Sequence, residues 1–136
     1  MKSLLKFFLL LSTLSALNAL AYSSDELRDD CLAAEDFYSQ KKSSDPYQSI
    51  RGARCMAYVA GFADGYGVGD FLATQVGVTL NAICLPNDSD LPYRLVRSVL
   101  SHLERQPPHN KASTATLVAG ALSISFPCTE PPETKK

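Results

Sequence analysis

Apolar residues recur at helical spacing in four stretches of the chain, separated by polar or proline-containing segments. The first stretch has an i, i+4, i+7, i+11 stripe made of Leu27, Cys31, Ala34 and Tyr38. Asp29, Asp30 and Asp36 fall outside this stripe, and we expect them to face solvent. Ser23, followed three positions later by Glu26, is the pattern of a capping box, so a first helix is predicted to begin there.

A second helix is predicted from about Ile50, after a polar loop over residues 39–49. Its apolar face is expected to contain Cys55, Tyr58, Val59, Phe62 and Tyr66. Four glycines interrupt its later part, at positions 61, 65, 67 and 69. Because each costs about 1 kcal/mol relative to Ala in a helix interior, the pattern predicts fraying between Asp64 and Leu72. Residues 75–83 are expected to form an extended or loosely helical connector, since a lone strand would have no partner.

Two further helices follow. Residues 87–90 offer several N-caps for the third helix. Its apolar stripe runs from Leu95 to Leu103, and the prolines at 107 and 108 are expected to end it. The fourth is predicted to begin near Asn110 or Ser113 and to end at Phe126, before Pro127. Residues 129–136 are polar and rich in proline, and we expect them to be disordered. The chain is thus predicted to be an all-α domain over residues 22–128, a single small bundle of about four helices stapled by two disulfides.

The first 21 residues have the pattern of a cleaved export signal. Lys2 and Lys6 precede an apolar run from Phe7 to Leu17, and residues 19–21 (Ala-Leu-Ala) suit signal peptidase, which would cut after Ala21. The run is too short to span a bilayer of roughly 30 Å. Cleavage leaves 115 of the 136 residues and changes the net charge from −1 to −3, because the signal holds two lysines and no acid. We therefore expect a periplasmic, soluble product with no nucleic-acid or membrane partner.

All four cysteines follow the predicted signal, and an even number in a small exported domain indicates two disulfides. Three pairings are possible. A hairpin of the first two helices would join Cys31 to Cys55, and Cys84 and Cys128 follow the second and fourth helices, so we predict these two pairs. Because no Cys-x-x-Cys spacing occurs, we expect no metal and no cofactor.

The sequence also lacks the parts of a catalytic site. A nucleophilic cysteine needs a free thiolate beside a base, and all four thiols are expected to be bonded. His102 and His109 are interpreted as surface or capping residues. The glycine-rich segment 65–69 lacks the Lys-Ser/Thr that follows in a phosphate loop. We therefore predict that the protein is not an enzyme.

Taken in order, several motifs of the chain resemble the Rap/Tai family of immunity proteins. The resemblance covers roughly residues 27–128 and is carried by Cys55-Met56-Ala57-Tyr58-Val59-Ala60-Gly61, Ile83-Cys84-Leu85-Pro86, Leu117-Val118-Ala119-Gly120-Ala121-Leu122 and Phe126-Pro127-Cys128. It implies a periplasmic α-helical domain, often a homodimer, that plugs the Cys-His cleft of a papain-like peptidoglycan amidase delivered by type VI secretion. The chain departs from the family's usual form in the elongated, glycine-rich segment 65–82.

The resemblance implies contact with a cognate effector, and we expect an exposed and chemically varied turn to make this contact. The first choice is the turn between the third and fourth helices, with contact residues Glu104, Arg105, Gln106, His109 and Asn110. The second choice is Asp64, Tyr66 and Asp70. An alternative function is a periplasmic acid-stress chaperone of similar size and helicity, although a net charge of −3 gives it little pH leverage. Protection of unrelated proteins from aggregation at low pH would favour the chaperone.

Overall fold

Side-chain caps mark the start of two of the four described helices, and the N-cap residues of the other two, Tyr47 and Asp90, make no side-chain capping bond. In the computed structural model, which describes residues 22–107 and 112–128, they are α1 (Ser24–Tyr38), α2 (Gln48–Gln75), α3 (Leu91–Glu104) and α4 (Thr114–Ser125). Ser23 caps α1 in a full capping box with Glu26, as predicted. Ser113 caps α4 by accepting a hydrogen bond from Thr116 N, so of the two predicted starts the later one is correct. The described residues contain no strand, which confirms the all-α prediction.

Each helix contributes its apolar stripe to one core. Helix α1 lies against α2 and α3, and α4 packs mainly on α3. The fully buried side chains at the centre are Leu27, Cys31, Cys55, Val59, Val96, Val99, Leu100, Leu103, Val118 and Leu122. Gly52 allows the backbones of α1 and α2 to approach closely, since a Cβ there would lie 3.2 Å from Ala34 Cα. None of the described helices combines the length and the apolar character that crossing a membrane requires.

Both predicted disulfides are confirmed. Cys31 is bonded to Cys55 with 5.0 Å between their Cα atoms, which ties α1 to α2. Cys84 is bonded to Cys128 and, in addition, donates its backbone N–H to Phe126 O at 2.9 Å, so the segment after α2 is fastened to the end of α4. No cysteine is left free.

The predicted fraying of α2 is wrong, because the helix continues through all four glycines to Gln75. The chain then turns at Gly77, with φ of +77°, and its return segment binds the helix. Tyr66 Oη accepts hydrogen bonds from the backbone N–H groups of Ala82 (2.9 Å) and Ile83 (3.1 Å). Asp70 Oδ1 accepts another from Leu80 N at 3.1 Å. These tertiary contacts outweigh the low helix propensity of glycine.

The prediction for Asp30 is also wrong, since this side chain is only 1% exposed. The disulfide explains the burial. Asp30 and Arg54 each precede a bridged cysteine, so bonding Cys31 to Cys55 brings the carboxylate and the guanidinium together, and they form an ion pair. Asp29, by contrast, is exposed as predicted, and Asp36 is half-buried and pairs with Lys41.

Candidate functional site

The described residues offer no obvious reaction centre. All four thiols are bonded to one another, so no cysteine nucleophile exists. Across residues 22–107 and 112–128, no cluster of three or more His, Cys, Asp or Glu side chains is arranged to hold a metal ion.

The turn after α3 is the first candidate surface. Glu104 and Arg105 are exposed, and Gln106 is half-buried with its amide nitrogen 3.0 Å from Nε2 of His102. Burial, reinforced by the charge of Arg105, lowers the pKa of His102 below its ordinary value. Arg28 on α1 donates to Leu103 O at 2.8 Å, which holds the end of α3 in place. The structure thus brings three of the predicted contact residues together.

The remaining two residues predicted for this turn, His109 and Asn110, lie outside the described residues, as do the predicted signal 1–21 and the tail 129–136. The second predicted group is described completely. Asp64 is exposed, whereas Tyr66 and Asp70 are half-buried and use their oxygen atoms to hold the return segment. Of that group, Asp64 is the side chain best placed to meet another molecule.

A second surface is formed by the distal part of α2 and the segment that returns from it. We call residues 64–82 the arm. At 1.5 Å per residue, the 28 residues of α2 extend about 42 Å, twice the length of the 14-residue α3. The last α2 side chain packed against the core is Tyr66, and the next residue of the core is Ile83. The outer arm, residues 67–82, therefore lies beyond the bundle.

The arm carries large apolar side chains in contact with solvent. Six of the exposed large hydrophobic residues belong to it, namely Val68, Phe71, Leu72, Val76, Val78 and Leu80. The most exposed of these, Val76, retains 78% of its accessible surface. The sequence analysis selected Asp64, Tyr66 and Asp70 in this segment but missed its exposed apolar side chains. A signal was present, because the apolar residues of α2 continue beyond the length that its neighbouring helices can cover.

An apolar cavity of about 270 Å³ lies at the base of the arm. Its walls come from the end of α1, from α2, from the segment before α3 and from α3. They include Tyr38, Val59, Leu85 and Leu95, with Asp64 as the one acidic residue. Val68 follows Asp64 by one helical turn. Because no set of polar groups converges in it, the cavity suits an apolar side chain better than a substrate for chemistry.

The buried carboxylate of Asp30 is the centre of a polar cluster that joins α1, α2 and α4. Tyr22 Oη donates to Asp30 Oδ2 at 2.6 Å, and the Tyr22 carbonyl accepts from the hydroxyl of Thr114. The Arg54 guanidinium lies 5.0 Å from the centre of the Tyr22 ring. Burial and the bond to Asp30 raise the pKa of the Tyr22 hydroxyl well above its ordinary range. The cluster connects three helices through Asp30, Arg54 and Thr114, which indicates a structural role.

A family model described as Rap1a immunity proteins matches residues 23–128. The match begins at the N-cap of α1 and ends at the second disulfide, so it includes all four helices and both disulfides. Comparison with curated proteins and with solved structures gave no match.

Proposed function

The chain belongs to the Rap1a immunity protein family, and from this premise we propose that it blocks the active-site cleft of a peptidoglycan amidase. Membership makes it a non-enzymatic immunity protein against an effector of type VI secretion. We further propose that the protein acts in the periplasm after residues 1–21 are removed, and that it is a homodimer.

The observation that carries the proposal is the extent of the family match, which covers the whole helical body together with all four cysteines. The two disulfides support a periplasmic site of action, because such bonds form and persist in oxidising compartments. The basic start, apolar run and Ala-Leu-Ala of residues 1–21 support export to that compartment. A protein that works by occupying a cleft needs a stable shape and no reaction centre of its own.

The function is tested by mixing the oxidised protein with purified peptidoglycan amidase effectors of type VI secretion, beginning with any that is encoded beside its gene. We expect a stable complex and loss of peptidoglycan hydrolysis as the immunity protein approaches one equivalent per enzyme. Hydrolysis that continues undiminished with excess immunity protein, or the absence of a complex, would refute the amidase as its target. An unrelated peptidoglycan amidase serves as the control and should remain active.

The other parts of the proposal have separate measurements. The N-terminus of the protein isolated from the periplasm is expected to be Tyr22, which mass spectrometry of the intact chain will show. Sedimentation velocity measures the expected homodimer. The turn after α3, with Glu104 and Arg105, is the alternative contact surface to the arm, and loss of effector binding in R105E would identify it.

A further inference from the structure

We infer that the immunity protein docks on its effector through the arm, residues 64–82, and that the effector surface there is an apolar groove rimmed by Lys or Arg side chains. The inference rests on the proposed function and names the surface that performs it. It follows from the exposure, rigidity and charge of the arm.

The outer arm exposes a large share of its apolar side chains. It adds no side chain to the described core, yet six of its large apolar residues are in contact with solvent. Monomeric soluble proteins seldom expose contiguous apolar surface of this kind unless another molecule covers it. The apolar cavity beside Asp64 lies at the base of the arm, and none of the six exposed side chains lines it. The exposed side chains are therefore the contact surface, and the cavity is a separate depression next to them.

The arm is also held in one conformation before it binds. Its helical half is continuous with α2, and its returning half is fixed by the bonds to Tyr66 and Asp70. The disulfide between Cys84 and Cys128 fastens the point where the segment rejoins the bundle. A preorganised surface loses little conformational entropy on association, which favours tight binding.

The charge of the arm indicates what covers it. From residue 55 to residue 93 the sequence contains no Lys, Arg or His, and the two charges of the arm are the acids Asp64 and Asp70. Contact between the arms of two copies would bring like charges together, which opposes a symmetric arm-to-arm dimer. A basic partner is complementary. Stem peptides of peptidoglycan carry carboxylates, so an enzyme cleft that binds them favours Lys or Arg side chains. Asp64 and Asp70 of the arm can pair with the same Lys or Arg side chains.

The arm and the turn after α3 are separate surfaces. The segment leaving the arm meets the end of α4 at Phe126, and Arg94 in the first turn of α3 stacks on the Phe126 ring at 5.2 Å. The turn lies at the other end of α3, about 21 Å away along 14 residues. Variants can therefore test the two surfaces independently.

The experiment compares binding of the amidase by three variants. The arm variant is F71S, the control I124S alters an equally exposed apolar residue on α4, and the turn variant is R105E. Phe71 and Ile124 are 62% and 63% exposed, so both serine substitutions should leave the thermal midpoint and helical content unchanged. We expect F71S to weaken binding at least about 30-fold, as for a hot-spot side chain, while I124S and R105E stay within about threefold of the wild type. D64K should slow association and reduce its salt dependence.

The outcomes separate the two proposals. Wild-type protein that fails to bind the amidase would overturn the proposed function. Wild-type binding that F71S leaves intact would overturn the arm inference alone, and loss of binding in R105E instead would assign the contact to the turn. If F71S converts a dimer to a monomer that still binds and inhibits the amidase, the arm is a surface between copies and the inference is wrong.

Discussion

Replacing Gly52 by alanine should destabilise the protein even though alanine is the better helix former. Gly52 lies in α2 where that helix crosses α1, and an added Cβ would lie 3.2 Å from both Ala34 Cα and Ala34 N and 3.3 Å from the carbonyl carbon of Ala33. All three are backbone atoms, so no side chain can rotate away. Helix α1 cannot easily retreat either, because the disulfide at Cys55 binds it to α2 three residues further along.

The magnitude follows from two opposing effects. Alanine gains about 1 kcal/mol of helix propensity over glycine. Overpacking a close contact costs about 1 to 3 kcal/mol, and the fixed backbone favours the upper part of that range. We therefore expect G52A to lower the free energy of unfolding by about 1 to 2 kcal/mol, which in a chain of this length lowers the melting temperature by about 4 to 8 °C.

Gly61 provides the matched control, because it lies in the same helix and a Cβ there would meet nothing within 4 Å. G61A should gain the propensity without the clash and raise the stability by about 0.5 to 1 kcal/mol. Chemical denaturation of the two oxidised variants, followed by circular dichroism, measures both changes. If G52A stabilises the protein as much as G61A does, the close approach of α1 and α2 is not rigid and the reasoning fails.

Three further predictions concern polar contacts. D30N should lower the free energy of unfolding by about 1 to 3 kcal/mol because the ion pair with Arg54 is lost, and a denaturation midpoint equal to the wild type would contradict it. Y66F removes the acceptor of two backbone N–H groups, so hydrogen exchange should accelerate in the return segment while α3 keeps its protection. Burial lowers the pKa of His102 in the folded state. Below a pH of about 6.5 the unfolded chain therefore binds more protons than the folded chain, and the free energy of unfolding declines as the pH falls. H102Q should reduce that decline, as urea titrations at about pH 7.5 and 5 would show, and an unchanged pH dependence would count against it.

The features that the sequence predicts correctly depend on residues close together in the chain or on few possible pairings. The caps at Ser23 and Ser113 are local hydrogen-bonding patterns. A helical hairpin leaves few possible disulfide partners for Cys31 other than Cys55. Family resemblance added the partner class, which no spacing of polar residues reveals.

What the sequence did not predict depends on contacts between distant segments. The glycines of α2 have a local cost, but the return segment that stabilises this helix binds Tyr66 from 16 and 17 residues away. Asp30 looks like a solvent-facing residue until the disulfide places Arg54 opposite it. The exposed apolar side chains of the arm were not predicted, because an apolar position on a helix is normally assigned to the core, and only the assembled bundle shows which part of α2 its neighbours cover.

The core and the arm share one continuous helix, α2, so the packing of α2 against α1 sets the position of the far end of the arm. Gln75 is 20 residues beyond Cys55, roughly 30 Å along the axis. A tilt of about 5° at the Cys31–Cys55 crossing would swing that tip by about 2.6 Å at this leverage, more than the ~1 Å by which interface backbones usually move on docking. A substitution that changes the spacing of α1 and α2 at this crossing therefore displaces the tip of the arm far more than it displaces the core.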